Sequence, residues 1–119
     1  FTTDEERAGV LAIVEAAQQG GAAGLTASNT IPVADPRMST GRGGLSGGPL
    51  TAGTPGIVAA LRDATAGALP VNACGGIFTA TDARACLDAG AATVQVYTGL
   101  IYEGPAVAGK LVAGLRTRD

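Results

Sequence analysis

Three short runs with strand character, residues 23–28, 69–74 and 93–97, are each followed by a glycine-rich or polar stretch and then by a run with helical spacing. Ala23-Gly24-Leu25-Thr26-Ala27-Ser28 and Leu69-Pro70-Val71-Asn72-Ala73-Cys74 are β-compatible. Thr93-Val94-Gln95-Val96-Tyr97 is the clearest strand, being β-branched and aromatic. Strands alternating with helices of this length predict a parallel sheet with right-handed crossovers, because parallel neighbours need a long return connection. The predicted order is one helix followed by three βα units.

The helical runs carry their own punctuation. Thr3 and Glu6 form a capping-box pattern before Val10, Leu11, Val14 and Ala17, which share one face until Gly20-Gly21 stops the run. Residues 29–53 show no apolar period, and a loop of that length is usually functional or disordered. Thr54 before Pro55 is the pattern of an N-cap and a first-turn proline, with Ile57, Val58, Leu61 and Thr65 as the inner face. Thr79 and Asp82 make a second capping box for a helix that ends at Gly90 and packs through Ala83, Cys86 and Leu87. Pro105 is expected to open the last helix, packed through Val107, Ala108, Leu111, Val112 and Leu115.

Three strands cannot close a barrel, and an open three-stranded sheet is expected to leave apolar faces and two edges uncovered. The 119 residues amount to about half of a β/α barrel of roughly 250 residues. Composition agrees with α/β packing: 46% of residues are hydrophobic but only 3% aromatic, which suits close helix and backbone approaches. The physics favours a missing portion.

Several function classes are excluded. The formal net charge is -2, and Arg7, Arg37, Arg42, Arg62, Arg84, Lys110, Arg116 and Arg118 are scattered, so nucleic acid is not an expected partner. No apolar run approaches the roughly 18 residues of a membrane span, and Phe1-Thr2-Thr3-Asp4-Glu5-Glu6 is unlike a signal peptide; a soluble, cytoplasmic protein is expected. Cys74 and Cys86 are eleven residues apart in a chain without His, which supports neither a zinc site nor a disulfide framework, only two reduced thiols. A Ser-His-Asp or Cys-His nucleophile is likewise excluded, and no catalytic residue or metal ligand is assigned to this chain.

The informative chemistry lies at the strand ends. In parallel α/β folds ligands sit beyond the carboxyl ends of strands, and here those ends are Ser28-Asn29-Thr30, Cys74-Gly75-Gly76 and Tyr97-Thr98-Gly99. Gly75-Gly76 lets backbone N–H groups approach an anion beside the helix capped by Thr79. A tight βα turn is the alternative for a lone glycine pair, but the last two strands of a barrel frequently build a phosphate site, and a flavin phosphate suits it. Gly104-Pro105-Ala106-Val107-Ala108-Gly109-Lys110 resembles a Walker A loop only superficially, since Leu111 replaces the magnesium-binding hydroxyl. Gly41-Arg42-Gly43 lacks the third glycine and the preceding strand of a dinucleotide fingerprint.

Four blocks together, Ser28-Asn29-Thr30, Gly43-Gly44-Leu45-Ser46-Gly47-Gly48-Pro49-Leu50, Gly75-Gly76-Ile77 and Val94-Gln95-Val96-Tyr97-Thr98-Gly99-Leu100-Ile101-Tyr102-Glu103-Gly104-Pro105, resemble dihydroorotate dehydrogenase across essentially the whole chain. The last block is similar to the class 2, quinone-linked branch. The resemblance implies that residues 1–119 are the C-terminal part, a helix plus three βα units, of a single FMN-binding TIM (β/α)8 barrel domain. It implies FMN contacts from Ser28, Gly47, Gly75, Gly76, Tyr97 and Thr98, and pyrimidine contacts from Asn29 and Thr30. Without the flanking match, Asn29 would be a turn cap and Tyr97 a core residue.

The implied reaction oxidises dihydroorotate to orotate in pyrimidine (UMP) biosynthesis, with FMN reoxidised by a quinone. The implied base is a Ser on an earlier loop, and the implied flavin-side Lys lies on the strand before the first helix; the expected partner is therefore the N-terminal half of the same barrel. By the same resemblance the full-length protein is expected to sit peripherally on the inner cell membrane. Asn72-Ala73-Cys74 departs from the small or aliphatic residues that usually precede the glycine pair, and residues 31–36 depart from the usual Thr-containing run. A noncatalytic phosphate- or flavin-binding half barrel that works with a partner chain is the alternative; residues 43–50 argue against an unrelated phosphate-binding barrel.

Overall fold

The computed structural model describes residues 4–117. Helix α1 (Asp4–Gln19) leads to strand β1 (Leu25–Ala27), the pair β2 (Ile31–Ala34) and β3 (Arg42–Leu45), and a short 3-10 turn (Gly48–Leu50). Then follow α2 (Thr54–Ala64), β4 (Val71–Cys74), α3 (Ala80–Asp88), β5 (Thr93–Gln95), α4 (Thr98–Glu103) and α5 (Val107–Arg116). Strands β1, β4 and β5 form one parallel sheet in that order, with Leu25 opposite Val71 and Cys74 opposite Gln95. The predicted α/β order of a helix and three βα units is the one observed.

Helices α2 and α3 cover one face of this sheet, α1 packs on α2, and α5 packs on α3. The core lies between that face and the helices: Val58, Val71, Ala73 and Ala83 are fully buried, and Leu61, Ile77, Cys86, Val107 and Leu111 surround them. Each fully buried Val contributes about 1.5–3 kcal/mol relative to exposure. In α1, Val14 is buried, Val10 packs on the core and Ile13 is exposed. The Thr3 half of its expected capping box lies outside the described residues.

Strand alternation sorts the two faces. Val71 and Ala73 point into the core, while Asn72 and Cys74 point to the opposite side. The same alternation exposes Thr26, Thr93 and Gln95 on that opposite side. The uncovered face is therefore polar, which corrects the expectation of a bare apolar sheet face. Apolar surface instead borders the two sheet edges, with Ile13 and Ile57 beside β1, and Val94, Val96 and a 55% exposed Val112 beside β5.

Other expectations also change. Residues 29–53 are not one irregular loop: β2 and β3 pair antiparallel, Ile31 with Leu45 and Ala34 with Arg42. No apolar period marks them because both strands stand off the core and are largely exposed. Thr54 is not the N-cap of α2; Gly53 is, and Thr54 is the first helical residue, its hydroxyl directed elsewhere. The last strand stops at Gln95, and residues 98–103 turn into the unforeseen α4, so Pro105 lies between two helices rather than opening α5. Ala108 and Val112, expected to pack, are exposed at the sheet edge. The capping box of α3 is present as expected: Thr79 Oγ1 accepts the Asp82 N–H at 3.2 Å, and the Asp82 carboxylate accepts the Thr79 N–H at 2.8 Å. No helix of the described residues is long and apolar enough to cross a membrane.

Candidate functional site

The carboxyl ends of β1, β4 and β5 open onto one cleft of about 200 Å³. Ser28, Asn29, Thr30, Gly47, Gly75, Gly76, Tyr97 and Thr98 all line it, although they come from four separate stretches of chain. Ser28, Asn29 and Thr30 leave β1, Gly47 ends the hairpin arm, Gly75 and Gly76 follow β4, and Tyr97 and Thr98 follow β5. Gly47 and Gly76 are buried, Ser28, Gly75 and Thr98 are half-buried, and Asn29, Thr30 and Tyr97 are exposed. Tyr97 is 72% exposed, so it is not the core residue its aromatic character alone would have made it.

Three hydroxyls set the turn after β4. Ser28 Oγ donates to the Cys74 carbonyl at 3.2 Å, Thr54 Oγ1 to the Gly75 carbonyl at 2.9 Å and Thr51 Oγ1 to the Gly76 carbonyl at 2.7 Å. In a trans peptide the C=O and N–H point in opposite directions, so fixing these carbonyls on one side turns the N–H groups of Gly76 and Ile77 to the other. No acceptor among the described residues takes those two N–H groups, nor those of Thr98 and Gly99 at the start of α4. All four residues line the cleft.

Glycine is required where the turn is tightest. At Gly76, φ is +69°, and a Cβ would stand 2.3 Å from the Thr51 backbone nitrogen. At Gly47, φ is +78°, and a Cβ would stand 2.9 Å from Thr98 Cγ2, closing the gap between the hairpin arm and the β5 end. Thr98 Oγ1 and Ser46 Oγ lie 3.4 Å apart across that gap.

The N-terminus of α3 is not an open anion site. Phe78 and Thr79 both donate their N–H groups to the Asp82 carboxylate, at 3.1 and 2.8 Å. The helix thus carries its own anion, and the donors left for a ligand lie earlier, at Gly76 and Ile77. Of the two donor sets expected from the sequence, the N–H groups at the glycine pair remain unpartnered among the described residues, whereas the N-terminus of α3 is taken by Asp82. It also passed over Ser46, Gln95, Thr51 and Thr54; the first two lie inside quoted motifs, while the pairing of Thr51 and Thr54 with Gly76 and Gly75 has no local signal.

No charged side chain lines the cleft among the described residues. Its volume lies below the roughly 300–1,000 Å³ of sites that enclose a whole drug-sized ligand. Neutral backbone donors, a cradle that only glycine fits and flanking hydroxyls suit the phosphate end of a larger ligand, with Asn29 and Thr30 offering an amide and a hydroxyl at its outer rim.

The family model for dihydroorotate dehydrogenase matches residues 6–118. Among curated relatives, dihydroorotate dehydrogenase (quinone) of Synechococcus sp. (strain JA-3-3Ab) is 41% identical over 115 residues, covering 87% of this chain and 30% of the relative. That of Methylococcus capsulatus is 53% identical over 76 residues, covering 61% of this chain and 22% of the relative. Among solved structures, the Eimeria tenella dihydroorotate dehydrogenase in complex with ferulenol superposes with a TM-score of 0.79 at 38% identity, covering 95% of this chain and 30% of that one. The chain spans about 30% of the length of the Synechococcus relative and of the Eimeria tenella structure.

Proposed function

The chain belongs to the dihydroorotate dehydrogenase family, and we propose that it is the C-terminal part of a quinone-dependent member that oxidises dihydroorotate to orotate in pyrimidine (UMP) biosynthesis. In this reading residues 1–119 form part of one FMN-binding TIM-barrel domain, whose N-terminal half supplies the remaining strands. The observation that carries it is the convergence of Ser28, Gly47, Gly76 and Thr98 on one cleft at the carboxyl ends of three parallel strands.

FMN, if bound here, would supply the hydride-accepting chemistry and the electron path to the quinone. The chain's own residues bind and orient. Gly76 and Ile77 offer their N–H groups to the phosphate, with Thr98 beside them and Gly75 shaping the turn. Gly47, Ser28 and Tyr97 bound the cofactor, and Asn29 and Thr30 hydrogen-bond the pyrimidine ring of dihydroorotate or orotate. In this reading the base that takes the substrate proton comes from the N-terminal half, where the family resemblance puts a Ser on an earlier loop. The complete protein works on the cytoplasmic side, peripheral to the membrane that carries its quinone.

The test is orotate formation from dihydroorotate with a soluble quinone analogue. This chain alone is expected to give none, and the complete barrel to turn over; orotate formation by the chain alone would refute the division of labour, and an inactive complete barrel carrying FMN would refute the reaction.

A further inference from the structure

On the sheet face opposite the helices, Asn72 joins neighbouring strands through its carboxamide. Its Nδ2 donates to Gln95 Oε1 at 2.8 Å, and its Oδ1 accepts from Thr93 Oγ1 at 2.7 Å, both on β5. On the other side its Nδ2 lies 3.5 Å from Thr26 Oγ1 on β1. Bulky branched side chains dominate the interior of β/α barrels, so a hydrogen-bonded polar layer at this level is a departure that calls for a reason. Gln95 supplies one. It lines the cleft, its Cα is paired with that of Cys74 immediately before the glycine turn, and its carbonyl is committed to Asn72. The Gln95 Nε2 has no acceptor among the described residues, which leaves both its N–H groups for a ligand.

Resting on the flavin reading above, we infer that Gln95 is a ligand-contacting donor to an uncharged acceptor of the flavin, a ribityl hydroxyl or a ring carbonyl, and that Asn72 is the positioning residue that holds it there. The neutral carboxamide stands on the strand itself, before the turn whose N–H groups are assigned to the phosphate, so its partner is a part of the ligand beyond the phosphate. Asn72 sets which end of the Gln95 amide faces the cleft. Thr93 in turn anchors Asn72, and the three side chains act as a unit.

The test titrates FMN and riboflavin, by quenching of flavin fluorescence, into the complete protein and its Gln95→Met, Asn72→Val, Thr93→Val and Asn72→Val/Gln95→Met variants. Each single loss at 95 or 72 is expected to weaken both flavins equally, by roughly three- to tenfold. The double variant is expected to be no weaker than Gln95→Met alone, because one interaction is removed once. Thr93→Val leaves the Asn72–Gln95 contact in place and is expected to weaken binding less. If the unaltered protein binds FMN while the variants keep its affinity, or lose FMN affinity alone, or lose it additively, the assignment of Asn72 and Gln95 is overturned and the flavin reading stands. If the unaltered protein binds neither flavin, both fall.

Discussion

Thr54, 1% exposed in the first turn of α2, directs its hydroxyl to the Gly75 carbonyl at 2.9 Å and to the Leu50 carbonyl at 3.0 Å. Helix and glycine turn are thus tied by one buried proton, and no helix-capping role is left for it. Thr54→Val leaves these carbonyls without that donor at almost unchanged volume, which should destabilise the fold by about 1–3 kcal/mol in urea unfolding. Thr54→Ser keeps the donor and should retain most of the hydrogen-bond contribution. The same pair should separate flavin affinity, lost in Val and kept in Ser.

Gly76→Ala adds a Cβ against a backbone nitrogen, which cannot swing aside, at a φ of +69°. A loss of about 2–5 kcal/mol is expected. Gly48→Ala is the control, since nothing lies within 4 Å of the added carbon; it should change stability by less than about 0.5 kcal/mol.

The two thiols should behave differently. Cys74 is half-buried and lines the cleft, whereas Cys86 is buried on the inner face of α3. Maleimide labelling followed by mass spectrometry should modify Cys74 first, and bound FMN should slow that reaction. Burial, with the nearby Asp82 charge adding, pushes the Cys86 thiol above its ordinary value of 9.0. The neutral thiol is therefore favoured by the fold: its contribution is fully present below about pH 9, and stability falls as pH rises through the unfolded and then the folded value. Cys86→Ala should flatten that alkaline decline.

Assembly should depend on the sheet edges. Ile13 and Val112 are 70% and 55% exposed on opposite flanks. Ile13→Ser and Val112→Ser should leave the stability of the chain alone within about 0.5 kcal/mol but weaken its association with an N-terminal barrel half, measured by sedimentation.

Much of this was legible in the sequence. The order of strands and helices, the capping box at Thr79 and Asp82, and the inner faces of α2 and α3 follow from period and cap chemistry, because those elements bury one face. The hairpin of β2 and β3 was not legible, since its strands bury no face and Gly43-Gly44 carries no side-chain pattern. Helix α4 was hidden by strong β-formers just before it and by Pro105 just after. The gathering of seven candidate residues in one cleft could be expected from strand ends, while Gly47 came only from the family resemblance. Which donors remain free there could be read only in part, because the second bond to Asp82, from the Phe78 N–H, and the hydroxyl bonds of Thr51 and Thr54 are settled only in three dimensions.

In the proposed function, Gly76 and Ile77 grip the phosphate end of FMN through their backbone N–H groups. The direct measurement compares FMN with riboflavin, which lacks only the phosphate, by fluorescence titration of the complete apoprotein. FMN should bind at least about tenfold more tightly, as charge-assisted hydrogen bonds to a phosphate require, and Gly76→Ala should erase the difference. Equal affinity for the two flavins would contradict the account.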